Sequence, residues 1–189
     1  MVLSTEYFPT VEFFAIAAQN STVFLEAHEN YRKQTYRNRC TILSANGKLD
    51  LNFPVIHDGS SLITDVKVDY STPWVSKTQR AISSAYDNSP YFEYYKDAVF
   101  AVLDSHPQKL WDLNMELIRL FSRKLGLVTE FLPTDSFVGE QYVISPKVVS
   151  AYAGREYWQV FSHKFGFVGG LSVMDLLFNE GPNALSVLK

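Results

Sequence analysis

Two arginines separated by a single residue, Arg37 and Arg39, are the side chains whose type and spacing best suit ligand chemistry. On a β-strand such residues share a face and lie about 6.5 to 7 Å apart. Guanidinium groups stay charged and donate paired hydrogen bonds, so two of them can hold one phosphate or carboxylate group. Alternatively, both pair with the nearby acids Asp50, Glu26 or Glu29, or are solvated on an exposed strand face. The sequence leaves both interpretations open.

Both arginines end a basic, tyrosine-containing stretch at residues 30–39. The net charge of the whole chain is -3, so this stretch is a local exception that favours a small anionic ligand over nucleic acid. Tyr31 and Trp74 are candidates to stack on such a ligand, although aromatic side chains of this kind also pack inside a protein.

A β-hairpin is predicted directly after this stretch. Asn46-Gly47 is the dipeptide that a two-residue type I′ turn prefers, because both residues then take positive φ. This turn predicts the cross-strand pairs Ser44–Leu49, Ile42–Leu51, Cys40–Phe53 and Asn38–Val55. It places on the opposite face Arg37, Arg39, Thr41, Asp50 and Asn52. The apolar face would bury Cys40 as an unreactive thiol and Asn38 as a hydrogen-bonded scaffold amide.

The remaining chemical candidates carry weaker patterns. The four histidines lack metal-ligand spacing, so neither a metal site nor a cofactor is predicted. Any of them can serve as a general base, and His163, just ahead of a glycine loop, is the weak catalytic candidate among them. Ser172 and Asp175 match a capping box, which makes both residues helix-start devices. A helix start preceded by Gly169-Gly170 also suits an anion, so Ser172 is a binding candidate and Asp175 a second weak catalytic candidate.

Composition bounds the class of protein. The chain has 189 residues, of which 47% are hydrophobic and 20% charged, as expected for one soluble domain over residues 1–189. A single cysteine excludes an internal disulfide, and neither a signal peptide nor a membrane-spanning run is visible. We therefore expect a cytoplasmic protein, with a homo-oligomer left open.

The order of elements predicts a mixed α/β fold, with α+β as the alternative. A strand-helix-strand opening at residues 2–26 precedes the hairpin, and a central helical segment follows, whose third helix stops at Gly126. Further short strands are predicted at 66–70, 128–132 and 142–144. A last helix begins after Ser172.

Several motifs together resemble the WbqC-like family. They are Tyr7-Phe8-Pro9, the stretch Tyr31 to Arg39, Trp74, Ala85-Tyr86, Ser89-Pro90-Tyr91-Phe92, Gly166-Phe167 and the run Leu171 to Pro182. The resemblance covers nearly the whole chain and is strongest at Asn38-Arg39 and in Leu171 to Asn179. Relatives often carry His near the position of Thr78 and Pro-Asn at Gly169-Gly170, so histidine-dependent chemistry and the usual loop geometry are in question here.

Members of that family are bacterial proteins often encoded among genes for surface polysaccharides and unusual amino sugars. The resemblance thus implies a role near activated sugars. Together with the arginine pair on one strand face, it favours a transferase-like enzyme that acts on a phosphate-bearing or activated sugar or acyl donor. Its anionic partner would be a nucleotide-sugar or an acyl donor, held by Arg37 and Arg39. The alternative is a non-catalytic binding module or assembly factor for polysaccharide enzymes.

Overall fold

The computed structural model describes residues 1–56, 58–59, 61–148 and 154–189. The elements in chain order are β1 (Val2–Leu3), α1 (Val11–Ala18), β2 (Thr22–Leu25), β3 (Arg39–Ser44), β4 (Gly47–Asn52), α2 (Trp74–Tyr86), α3 (Phe92–Asp104), α4 (Leu110–Leu125), β5 (Glu130–Pro133), α5 (Ser162–Phe165), α6 (Val173–Glu180), a 3₁₀ turn (Gly181–Asn183) and α7 (Ala184–Leu188). The predicted mixed α/β class is confirmed.

A parallel sheet is built on the strand-helix-strand opening, as predicted. β2 lies in the middle and pairs in parallel with β1 and with β5. α1 connects β1 to β2, and its first turn is capped by Thr10, whose hydroxyl accepts from the Phe13 amide at 3.1 Å. Because the strands are parallel, their carboxyl ends meet at one edge of the sheet, where ligands commonly bind in α/β proteins.

The hairpin forms, but the predicted register is wrong by two residues. Ser44 pairs with Gly47 and Cys40 with Leu51, so the turn residues are Ala45 and Asn46. Gly47 has φ +99° and neither turn residue has a positive φ. A type I′ turn at Ala45 and Asn46 would require a left-handed conformation of Ala45, which alanine disfavours. The left-handed conformation occurs instead at Gly47, directly after the turn. A shift of two residues preserves the side-chain faces, because side chains alternate with a period of two.

Two further strand predictions are wrong. Residues 66–70 make only isolated bridges, Val55 with Val68 and Lys67 with Lys109, and residues 142–144 lie in an irregular segment. The predicted strand at 128–132 is confirmed in part as β5, which begins at Glu130. Short apolar runs satisfy a strand pattern by composition, but a strand needs a neighbouring strand with which to pair.

Three parts of the chain converge beside the hairpin. The Ser172 amide donates to the Thr41 carbonyl at 2.8 Å, and the Val173 amide donates to the Pro9 carbonyl at 2.7 Å. These bonds tie β3 to the start of α6 and to the loop between β1 and α1. Beyond them, α4 ends at Gly126 in the left-handed conformation, as predicted.

Candidate functional site

A cleft lies where the loop after β1, the hairpin, residues 142–148 and the Gly169–Gly170 loop meet. Tyr36 lines three adjoining cavities there, of about 10, 460 and 400 Å³. We call this region the Tyr36 cleft and define it by Glu6, Glu12, Tyr36, Arg39, Lys48, Tyr142 and Gly170. It adjoins the carboxyl end of β1, which is where the parallel sheet favours a ligand.

Glu6 is a buried acid in the wall of the smallest of these cavities. Its side chain is almost fully buried, and its Oε2 accepts from the Thr10 amide at 2.8 Å. Burial raises the pKa of Glu6 to about 8, because the hydrogen bonds from Thr10 and the charge of Arg37 offset the lost hydration only in part. The group therefore holds its proton at neutral pH. The cavity of about 10 Å³ beside it has room for roughly one water molecule.

Glu12 brings a second carboxylate to the cleft. It lies in the first turn of α1, is 7% exposed, and lines the 460 Å³ cavity directly. The Tyr142 hydroxyl donates to Glu12 Oε1 at 2.8 Å, and this bond raises the pKa of Tyr142. Burial and the neighbouring carboxylates of Glu6 and Asp50 raise the pKa of Tyr36 to about 12. Tyr36 is therefore a neutral hydroxyl between two acids.

Cations lie on the hairpin side of the cleft. Arg39 and Lys48 line the 400 Å³ cavity together with Asp50. The Arg39 guanidinium is 3.5 Å from the Asp50 carboxylate, so its charge is partly neutralised. Lys48 is exposed and forms no ion pair with any described residue. Lys48 is thus the cation that an incoming anion can bind without displacing an existing partner.

Arg37 does not share a strand face with Arg39, and that expectation is wrong. Arg37 precedes β3, is 4% exposed, and donates through both Nε and Nη2 to the buried carboxylate of Glu29. Its Nη2 also donates to the Ser4 hydroxyl at 2.6 Å. Both charges are hydrogen-bonded, which is the condition for tolerating a buried ion pair. The alternative prediction, that Arg37 pairs with a nearby acid such as Glu29, is therefore confirmed for its contacts. The role of Arg37 in ligand binding stays a prediction.

The other predicted binding residues lie apart from the Tyr36 cleft. Tyr31 lines a different concavity of about 490 Å³, which it shares with Arg39. Trp74 is 4% exposed and packs on Tyr70, with its indole nitrogen donating to the Asp69 carbonyl at 3.0 Å. Ser172 is fully buried and accepts from the Met174 amide at 3.3 Å, so it caps α6 as predicted. Of the five predicted binding residues Arg37, Arg39, Tyr31, Trp74 and Ser172, only Tyr31 and Arg39 line a common cavity.

The two weak catalytic candidates are also separate from the cleft. His163 is exposed in α5, with Nδ1 3.1 Å from the Val160 carbonyl. Asp175 does not close a capping box, because its carboxylate accepts from the Tyr157 hydroxyl and from Gln159 Nε2, each at 2.8 Å. Burial raises the pKa of Asp175 to about 6, while these hydrogen bonds lower it. The catalytic roles of both residues stay predictions.

The scaffold prediction is confirmed for Cys40, and for Asn38 it is confirmed for the hydrogen bond but not for the burial, because Asn38 is half-buried. Cys40 is 1% exposed, and burial raises the pKa of its thiol well above the usual value, as expected for an unreactive cysteine. Asn38 donates to the Phe53 carbonyl at 2.9 Å. Both side chains therefore stabilise the hairpin that carries Arg39 and Lys48.

Sequence reasoning missed Glu6, Glu12, Lys48 and Tyr142. One signal was present: Glu12 stands between Val11 and Phe13 in a helix that is otherwise apolar. An acid in such a helix has no polar face to occupy, so it must be buried or line a cavity.

Comparison with known families identifies the chain. A model of the WbqC-like protein family matches residues 5–160. The chain belongs to the WbqC-like protein family. Comparisons with curated proteins and with solved structures gave no match. The WbqC-like match includes every residue that defines the Tyr36 cleft except Gly170, whereas the resemblance of the run from Leu171 stays a prediction.

Within the described ranges, no helix combines the length and the apolar character needed to cross a membrane. No three His, Cys, Asp or Glu side chains among the described residues are grouped to hold a metal ion. His57 lies outside the described residues.

Proposed function

We propose that this WbqC-like protein is a transferase-like cytoplasmic enzyme that binds a phosphate-bearing or activated sugar or acyl donor in the Tyr36 cleft. The observation that carries the proposal is the meeting of Arg39 and Lys48 with the buried acids Glu6 and Glu12 around one tyrosine. A role in bacterial surface polysaccharide or amino-sugar biosynthesis is part of the same proposal, and its support is the family resemblance.

Anion binding is the first step of the proposal. Lys48 supplies an unpaired ammonium group, and Arg39 supplies a guanidinium that is shared with Asp50. A phosphate or carboxylate at this position would gain charge-assisted hydrogen bonds in a partly enclosed cavity, where such bonds are stronger than in open water. The donor's anionic group therefore lies on the hairpin side of the cleft.

Proton transfer is the second step. Glu12 lines the large cavity and is in place to accept a proton from an acceptor nucleophile. Glu6 lies deeper, and its retained proton avoids a second negative charge beside Glu12. Two carboxyl groups in different environments, of which one is held neutral, form a recurrent arrangement for acid–base chemistry.

A thermal-shift screen tests the anion site. UDP-N-acetylglucosamine and acetyl-coenzyme A are the probes, and the double variant Arg39→Ala/Lys48→Ala is compared with wild type. The matched control is Lys77→Ala/Arg80→Ala, which removes the same charge from exposed positions on α2. At least one probe is expected to raise the Tm of wild type and control but not of the cleft variant. Equal shifts in all three proteins, or no shift by either probe, would contradict the proposal.

Turnover separates the enzyme from the non-catalytic binding module. Release of UDP or of the coenzyme A thiol from a bound donor, in the presence of an amine or hydroxyl acceptor, is expected for an enzyme. Glu12→Gln should preserve the Tm shift and lower the release rate by about 10² or more, as for loss of a general base. Donor binding without release under any condition would instead support the binding module.

A further inference from the structure

A second cavity, of about 200 Å³, adjoins the Tyr36 cleft across the Gly169–Gly170 loop. Both cavities are lined by Glu12, Gly169 and Gly170. Val11, Leu171, Tyr157 and Phe167 form an apolar wall that belongs to this second cavity alone, and Gly154, Arg155 and Glu156 also line it. We call it the apolar cavity.

The aromatic wall of the apolar cavity is fixed before any ligand arrives. The rings of Tyr157 and Phe167 meet edge to face, with centroids 5.2 Å apart. The Tyr157 hydroxyl donates to the buried Asp175, which sets the orientation of its ring. Gln159 fixes the adjoining loop, because its Nε2 donates to the Val168 carbonyl and its Oε1 accepts from the Val168 amide. Asp175 is therefore a positioning residue for this wall.

The anion site and the apolar cavity lie side by side. A Cβ atom built on Gly170 would lie 3.7 Å from Lys48 Nζ, which places the ammonium group against the loop that separates the two cavities. A ligand that binds Lys48 through an anionic group can therefore extend a short neighbouring segment past Gly170 into the apolar cavity.

The residues that line the apolar cavity indicate what kind of ligand segment it can bind. Against Val11, Phe167 and Leu171, the hydroxyl groups of a sugar ring would find no hydrogen-bonding side chain, and each unpaired group would be penalised, whereas an alkyl segment would not. An apolar cavity of 150 Å³ is enough to bind benzene, so about 200 Å³ admits a short acyl chain.

We propose that the apolar cavity binds the short acyl chain of an activated acyl donor whose anionic group lies at Lys48 and Arg39. The inference rests on the proposed function, since it takes the anion site from there. It narrows the donor to an acyl compound rather than a nucleotide-sugar.

A series of alkyl phosphates tests the acyl cavity by isothermal titration calorimetry. Methyl phosphate probes the anion site alone, and ethyl to hexyl phosphates add methylene groups. We expect affinity to rise about fourfold for each methylene that enters the cavity and to level off once the chain outgrows it. Straight-chain alcohols of the same lengths, which carry no charge, probe the cavity without the anion site.

Two variants change the size of the apolar cavity. Gly169 has no positive φ, and a Cβ there would meet only Phe167 at 3.9 Å, so Gly169→Leu can fill the cavity without backbone strain. Because Gly169 also lines the Tyr36 cleft, the readout is the affinity of each longer phosphate relative to methyl phosphate in the same variant, and this variant should lose that gain with chain length. Phe167→Ala enlarges the cavity and should move the plateau to longer chains. Ser84→Leu, exposed on α2, is the matched control for the added leucine.

The outcomes separate this inference from the proposed function. Methyl phosphate binding that depends on Lys48, with no gain from longer chains, would overturn the acyl cavity and leave the anion site standing. A chain-length gain for the alcohols that Gly169→Leu removes, without methyl phosphate binding, would support the cavity and overturn the anion site. A gain that neither Gly169→Leu nor Phe167→Ala alters would place the chain elsewhere and overturn the inference. Absence of binding by every probe would overturn it as well.

Discussion

Two buried glutamates near the carboxyl ends of neighbouring parallel strands, Glu6 after β1 and Glu26 after β2, have opposite electrostatic characters. Glu26 is fully buried and accepts from the amides of His28, Val138 and Gly139 and from the Thr134 hydroxyl, at 2.6 to 2.9 Å. Glu6 is buried almost as deeply, but its donors come from Thr10 alone. Depth of burial is thus nearly equal, and the number of donors differs.

The number of hydrogen-bond donors determines whether each glutamate is more stable as a carboxylate or as a protonated acid. Burial disfavours the charged form of Glu26, but its hydrogen bonds outweigh that cost and lower the pKa. Burial dominates at Glu6 and raises its pKa to about 8. Glu26 is therefore a carboxylate that holds the loop of residues 134–139 in place, whereas Glu6 is a protonated acid beside the Tyr36 cleft. A buried acid with few donors is the better functional candidate.

The largest expected effect comes from Glu26→Gln. An amide replaces one acceptor oxygen by a donor that faces existing N–H or O–H donors, so we expect a loss of about 3 kcal/mol in the free energy of unfolding. Urea denaturation at neutral pH measures it. Glu6→Gln is the matched control and should not lower the free energy of unfolding at neutral pH, because an amide resembles the protonated acid and needs no proton uptake on folding. Equal losses in the two variants would remove the contrast between the two acids.

The pH dependence of stability also separates Glu6 from Glu26. Between pH 4.5 and about 8, Glu6 is ionised in the unfolded chain and protonated in the folded one. The folded state then binds more protons, so this group makes stability fall as pH rises, by up to about 1.4 kcal/mol per pH unit. Glu6→Gln should remove that fall, as measured by urea denaturation at several pH values.

Glu26 should give the opposite sign. Its pKa is lowered in the folded state, so its contribution is present above pH 4.5 and is lost as pH falls through the folded value. Glu26→Gln should therefore flatten the acid side of the stability profile only. A wild-type profile that matches Glu6→Gln throughout would show that Glu6 is ionised in the folded protein.

Local sequence patterns predicted the parts of the fold that local rules govern. The opening strand-helix-strand unit, the stop of α4 at Gly126 and the burial of Cys40 follow from periodicity, capping and alternation. Within the paired residues 39–52 the faces of the hairpin were predicted although its register was not, because a shift of two residues preserves the alternation of side chains. Arg37 precedes β3 and was misplaced.

The candidate site was less predictable, because it depends on contacts between distant segments. Arg37 is buried by Glu29 and by Ser4, which is 33 positions away in the chain. Glu12 meets Tyr142 across 130 positions. No local sequence pattern specifies partners so distant in the chain. The basic stretch at residues 30–39 therefore suggested one surface, although Arg37 is buried and Arg39 lines the Tyr36 cleft.

The smallest expected effect concerns Glu12, a third acid, which accepts a hydrogen bond as Glu26 does but lies beside the Tyr36 cleft as Glu6 does. Tyr142 donates to Glu12, and Glu12 also lines an open cavity where water can replace that donor. Tyr142→Phe should therefore cost about 1 kcal/mol or less in the free energy of unfolding. The control is Tyr94→Phe, at a side chain that is 77% exposed, where no measurable change is expected. A loss near that of Glu26→Gln would mean that water cannot reach Glu12, and the Tyr36 cleft would then be closed to a ligand at this acid.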